Sequence, residues 1–164
     1  MDDLDERILW ELVADGRLAN NELARRVGVA PSTALARVRA LRERGVLAST
    51  HAQVDFEALG FAVQAIVSVT LQPQARHQLD SYAQRAIALP NVISIFYIGG
   101  PADFLIHVAC VSTSQLRDFI SAELSGDPAV ATTSTSILFD YLRGAQHMEH
   151  GTTFEAMRQA YRRP

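Results

Sequence analysis

Between Ser32 and Gly45 the chain reads STALARVRALRERG, a stretch with four arginines and two hydroxyl side chains. Guanidinium groups are planar forks that hold phosphate or base-edge oxygens through paired N–H donors. Short hydroxyls donate or accept at close range. At roughly 100° per residue, Ala34, Val38, Leu41 and Gly45 fall on one line, with Leu35 at its margin, and that line must be buried. Ala36, Ala40 and Glu43 fall opposite. Ser32, Thr33 and Arg39 flank this outer face, and Arg37 sits at its edge. Pro31 suits the first helical position, where its missing N–H costs nothing, so Ser32 and Thr33 open the helix.

A shorter helical pattern, Asn21 to Val27, precedes this stretch and ends at Gly28. Two helices joined by a tight glycine-containing turn, the second one basic, form the pattern of a helix-turn-helix. The residues expected to meet double-stranded DNA are Ser32, Thr33, Ala36, Arg37, Arg39 and Arg44. The small side chains of Ala36 and Ala40 let the backbone come close to the groove. From Arg17 to Gly45 there are seven arginines and two acids, a local +5 on a chain whose formal net charge is −3. Segregated positive charge on an acidic protein is an electrostatic footprint for phosphate.

The 164 residues suffice for one large domain or two small ones, and 48% hydrophobic content supports a packed core. No apolar run approaches the roughly 18 residues that span a bilayer, and the acidic start MDDLDERIL is unlike a secretion signal. A cytoplasmic protein with no membrane partner is expected. The single cysteine, Cys110, lies in the apolar run HVACV and reads as core. All 15 basic residues other than histidine are arginine. His147 and His150 stand three apart without a third ligand, and His51, His77 and His107 are scattered, so neither a metal nor another cofactor is expected. Catalytic motifs for nucleophilic chemistry are absent from the sequence.

The positioning elements follow from periodicity. Leu4, Ile8, Leu9, Leu12 and Val13 form a helical stripe ending near Asp15-Gly16, with Asp5 and Glu6 complementing the helix dipole. Asn20 or Asn21 is the expected cap of the second helix. Val46 to Gly60 has no helical period and is read as a short strand (VLAST) and a linker. Ala62 to Gln72 alternates, with Val63, Ala65, Val67, Val69 and Leu71 on one face. Gln74 to Leu89 is helical, Val92 to Ile98 and Asp103 to Val111 are strands, and Gly99-Gly100-Pro101 is the turn between them. Ser112 and Gln115 are spaced as a capping box for a helix through Leu124. Val130 to Leu142 alternates again, with Ile137, Phe139 and Tyr141 on one face. The order β-α-β-β-α-β is that of a ferredoxin-like sandwich. The fold class is therefore α+β: residues 1–47 a trihelical helix-turn-helix domain, 48–61 a linker, 62–142 the ferredoxin-like domain, and 143–164 a tail. In the tail, Thr152 and Glu155 have capping-box spacing, and Phe154, Met157 and Tyr161 helical spacing. The sheet face without helices is expected to be covered by a second copy.

Three separated motifs carry a family resemblance. LDERILWELVADGR (Leu4–Arg17), NELARRVGVAPSTALARVRALRERGVL (Asn21–Leu47) and GGPADFLIHV (Gly99–Val108) occur in the order seen in the leucine-responsive/asparagine-responsive, or Lrp/AsnC, transcription regulators. The chain resembles that family from Leu4 to about Leu142. The resemblance implies a regulator that binds DNA as a homodimer, assembling further to a tetramer or octamer. It also implies a small effector, commonly an amino acid, near the Gly-x-x-Asp turn. Carried over by residue, Gly99 and Gly100 offer backbone N–H groups to a carboxylate. Asp103 either accepts from an α-ammonium or fixes the turn, Pro101 and Ala102 shape it, and Thr133 and Thr135 of the last strand approach the pocket. The chain departs from the family pattern at Ala30, where a serine cap is common, and at Pro101 and Ala102, where an acidic and an aromatic residue are common. Two other readings share the layout: a sirohaem-decarboxylase-like enzyme, recruiting His107 and His51, and a sequence-tolerant architectural DNA binder.

Overall fold

A computed structural model describes residues 1–141. The expectations for the tail, including His147 and His150, lie outside them. Two compact units divide at Gln53/Val54.

The first unit holds three helices: α1 (Asp3–Ala14), α2 (Asn20–Val27) and α3 (Pro31–Glu43). Their apolar stripes meet in one core of Ile8, Leu9, Leu23, Val27, Val38 and Leu41, with Leu4, Leu12, Leu18, Val29 and Leu47 packed against it. Each such side chain contributes about 1.5–3 kcal/mol when fully buried. Val13, expected in the stripe, is exposed, as is Leu35. Gly28 ends α2 in the left-handed region at φ 69°, and the Val29 N–H bonds back to the Ala24 carbonyl. This closes the tight turn that glycine permits. Pro31 opens α3 as expected. The caps differ from expectation. Asn20 lies inside α2, whose N-cap is Ala19, and the Asn20 Nδ2 donates instead to the Pro31 carbonyl at 2.9 Å, tying the starts of the two helices together. The strand expected at 46–50 does not form: Gly45 to Leu47 turn back onto the end of α3, where the Val46 and Leu47 N–H groups both reach the Leu41 carbonyl.

The second unit is a four-stranded sheet of β1 (Val63–Leu71), β2 (Val92–Tyr97), β3 (Phe104–Cys110) and β4 (Val130–Leu138), in the order β2-β3-β1-β4. Every pairing is antiparallel. With α4 (Leu79–Ile87) and α5 (Thr113–Phe119) as the crossovers, this is the expected ferredoxin-like βαββαβ arrangement. Ala65, Val67, Val69 and Leu71 of β1 pack with Phe104, Ile106, Val108 and Cys110 of β3 against Tyr82, Ala86, Leu116, Phe119 and Leu124.

The first helical stretch of this unit is split, a 3-10 segment Pro73–Gln78 preceding α4. The second relaxes into a π turn, Ile120–Leu124, closed by the Ser125 N–H on the Ile120 carbonyl at 2.7 Å. At Gly126 a Cβ would stand 2.6 Å from the Ala122 carbonyl oxygen, so only glycine fits behind that turn. Ser112 caps α5 as expected, accepting from the Gln115 N–H at 3.2 Å, while the Gln115 side chain reaches back to the Val111 N–H at 2.7 Å. The sheet face opposite the helices is mixed. Ile66, Leu105 and Phe96 form an apolar centre, flanked by Gln64, Ser68 and Thr70 of β1 and Thr132, Ser134 and Ser136 of β4. No helix among the described residues is long and apolar enough to cross a membrane.

Candidate nucleic-acid interface and effector turn

The outer face of α3 is open. Ser32, Thr33, Ala36, Arg39, Arg42 and Glu43 are exposed, while Ala34, Val38 and Leu41 are buried. Ala30 precedes α3 without a side-chain cap bond. The first amides of the helix are therefore left to an outside acceptor, and helix N-termini favour anions there.

The arginines divide into two sets. Arg37 donates to Asp2 Oδ2 at 2.7 Å and to Asp5 Oδ1 at 3.2 Å, and Arg44 lies 3.5 Å from Asp5 Oδ2. Arg25 and Arg26 share the Glu22 carboxylate, and Arg26 also reaches Glu11 at 3.0 Å. The hydrogen bonds from Arg25 and Arg26 hold the Glu22 carboxyl down at about 2. The bond to Asp2 raises the Arg37 guanidinium above its ordinary range. Arg39 and Arg42 have no ion pair among the described residues. Residues 1–45 contain eight arginines and eight acids, so this stretch is formally neutral and the +5 of residues 17–45 is offset by residues 1–16. What remains positive toward solvent on α3 is Arg39 and Arg42. Arg42 was not among the expected contacts; its helical angle, on the far flank from Arg37, carries the signal.

At the other candidate site, the β2–β3 turn spans Ile98 to Asp103. Apart from the adjoining residues of the turn, no described atom lies within 4 Å of where a Cβ would stand on Gly99 or Gly100. Neither N–H has a hydrogen-bond partner among the described residues. The Pro101 carbonyl accepts from Thr70 Oγ1 at 3.3 Å. Ala102 is buried, its methyl turned into the protein. Of the two roles open to Asp103, the geometry shows the structural one. Oδ2 accepts the Leu71 N–H at 2.8 Å, and the Asp103 N–H donates to the Val69 carbonyl at 2.9 Å. Arg76, from the 3-10 segment, brings an exposed guanidinium to 3.8 Å from Asp103 Oδ1. Sequence reasoning missed Arg76 because no local pattern links it to a turn so far along the chain.

Thr133 and Thr135 do not join that turn within one chain. They pair with Val69 and Val67 across β1, on the helix side of the sheet and two strands away from β3. The Thr133 hydroxyl bonds Ser125 Oγ at 2.9 Å. Thr135 lines an open groove of about 410 Å³ with Thr113, Leu116, Arg117, Ile120, Ser121 and Ser125.

Residues 64–144 match the Lrp/AsnC ligand binding domain, and residues 1–48 match a winged helix-turn-helix DNA-binding family. The transcriptional regulator AldR of Mycolicibacterium smegmatis is 42% identical over 145 residues, covering 88% of this chain and 85% of AldR. The chain belongs to the Lrp/AsnC family. It is a transcriptional regulator with a DNA-binding unit and a unit for a small-molecule effector. The leucine-responsive regulatory protein of Rhizobium meliloti is 34% identical, covering 91% of this chain and 96% of that protein. The crystal structure of MtbAldR superposes with a TM-score of 0.77 at 38% identity, covering 88% of this chain and 95% of that one. A Neisseria meningitidis regulator, solved as its L-Met complex, gives 0.78 at 26% identity, covering 87% and 92%.

Proposed function

We propose that this regulator reads double-stranded DNA with the outer face of α3: Ser32, Thr33 and Ala36 at base edges, Arg39 and Arg42 on phosphates. The observation that carries this is the uncapped, exposed start of α3 beside two guanidiniums without acidic partners among the described residues. Arg37 and Arg44 stay with their carboxylates. The protein works as a homodimer, assembling to a tetramer or octamer, with the Ile66, Leu105 and Phe96 face covered by a second copy. Residues 1–47 form the reader, 48–61 the linker, 62–142 the assembly and effector domain, and 143–164 a C-terminal tail. It acts by binding, without catalysis.

The effector in this reading is an amino acid. A relative solved with L-Met supports that class. Its carboxylate meets the Gly99 and Gly100 N–H groups and Arg76, which together supply neutral and charge-assisted donors. Thr133 and Thr135 contribute only from another copy, since one chain does not gather them at the turn. The decisive experiment selects bound sequences from random DNA, with and without an amino-acid mixture. Calorimetry against the twenty amino acids on wild type and Arg76→Ala then tests the turn. A defined motif whose affinity shifts with one amino acid, with the shift lost in Arg76→Ala, is the expected result. Enrichment of no motif rejects the specific reader, and unchanged binding by Arg76→Ala rejects this placement of the carboxylate. Sedimentation of a stable monomer at micromolar concentration rejects the assembly.

A further inference from the structure

Asp5 is a buried acid, 3% exposed, in the core-facing side of α1. Its two carboxylate oxygens serve two arginines, Oδ1 facing Arg37 of α3 and Oδ2 facing Arg44 at the C-cap of that helix. Seven residues separate these arginines in the sequence. At roughly 100° per residue they lie on one line, about 10 Å apart along the helix axis. A single carboxylate therefore holds α3 at two points two turns apart. Asp2 completes the device: Oδ2 accepts from Arg37, and Oδ1 accepts the Asp5 N–H at 2.9 Å, which fixes the start of α1 beside the clamp.

The apolar face that α3 buries is narrow. It consists of Ala34, Val38 and Leu41, and alanine contributes little shape. Apolar contact is non-directional, whereas a carboxylate between two guanidiniums fixes direction. Rotation of α3 decides which side chains point outward. A turn of one residue step would put Val38 or Ala40 where Arg39 stands at the outer face.

We propose that Asp5 is a positioning residue for DNA recognition: it sets the rotation of α3 against α1 and withholds Arg37 and Arg44 from phosphates. This rests on the reading that α3 meets DNA. The test uses the full chain, with the selected DNA site and a random duplex, across a salt series. Asp5→Asn removes the charge at nearly constant volume. Its ratio of specific to non-specific affinity should fall at least tenfold. Its non-specific salt slope should stay or steepen by about 1–2, as the released guanidiniums reach phosphates. A merely structural residue would lower both affinities together with the slope, and that outcome, or an unchanged ratio, overturns the proposal.

Arg37→Gln covers the case in which Asp5→Asn does not fold. It should lower the ratio with no loss of slope, and a slope reduced by about 1 identifies Arg37 as a phosphate contact and overturns the proposal. Arg39→Ala separates the two levels. Weakened binding there with an unchanged ratio in Asp5→Asn overturns only the clamp. Unchanged binding and slope in Arg39→Ala overturns the α3 reading itself, and the clamp with it.

Discussion

The Asp103 carboxylate accepts the Leu71 backbone N–H at 2.8 Å, joining the start of β3 to the end of β1. The carboxylate that the family resemblance offers to a ligand's ammonium is thus already engaged. Hydrogen bonds to charged groups contribute about 1.5–3 kcal/mol, and a deserted N–H adds a desolvation cost. Asp103→Ala should therefore lower unfolding stability by about 2 kcal/mol in urea titration. Asp103→Asn keeps an acceptor oxygen for Leu71 and should lose less than half of that. If Asp103→Asn retains amino-acid binding, the ligand does not use the charge. Equal losses for both substitutions would place the stabilisation elsewhere.

Arg39 and Arg42 carry the phosphate contacts in this reading, and Arg37 does not. Each of Arg39→Ala and Arg42→Ala should reduce the slope of log affinity against log salt by about 1. The slope should not change between pH 8 and pH 5, because Glu22 titrates at about 2 and keeps hold of Arg25 and Arg26 throughout. A steepening toward pH 5 that is lost in Arg25→Ala and Arg26→Ala would mean that those two arginines are released.

The parts legible in the sequence are those with local causes. Pro31 and Gly28 punctuate α3 and α2 because ring closure and left-handed backbone act on one residue. Alternation marks β1 because its side chains must reach one core. The arginine pairs were not legible. Asp2, Asp5 and Glu11 meet partners on other helices, and a charge count over residues 17–45 excludes all three. Thr133 and Thr135 were assigned by resemblance, and within one chain the strand order separates them from the turn. The structural role of Asp103 depends on the register of β1 against β3, which no local pattern carries.

Tyr82 is buried against Phe104, with ring centroids 5.4 Å apart. Its hydroxyl has no hydrogen-bond partner among the described residues, and burial pushes its pKa up to about 12. A buried hydroxyl without a partner costs stability, on the order of 1–3 kcal/mol by mutational measures. Tyr82→Phe should leave the melting temperature unchanged or raise it. A loss above about 1 kcal/mol would show that the hydroxyl is bonded, for example through an ordered water.

His107 stands on the sheet face away from the helices, beside Ile66 and Ser94, with Nε2 3.0 Å from Gln64 Oε1 and the Tyr141 ring 6.1 Å away. It is 8% exposed, and burial lowers its pKa below the usual 6.5. The sign of the effect follows. Above 6.5 both folded and unfolded chains hold this histidine neutral, and stability is undiminished. As pH falls through 6.5 the unfolded chain takes up its proton first, so stability declines until the folded pKa is reached and then levels off. His107→Gln keeps a polar partner for Gln64 and removes the titration. Unfolding midpoints in urea between pH 8 and pH 5 should fall for wild type and fall less for His107→Gln. Parallel curves for the two proteins would show that burial of this ring is not what couples folding to protons in this range.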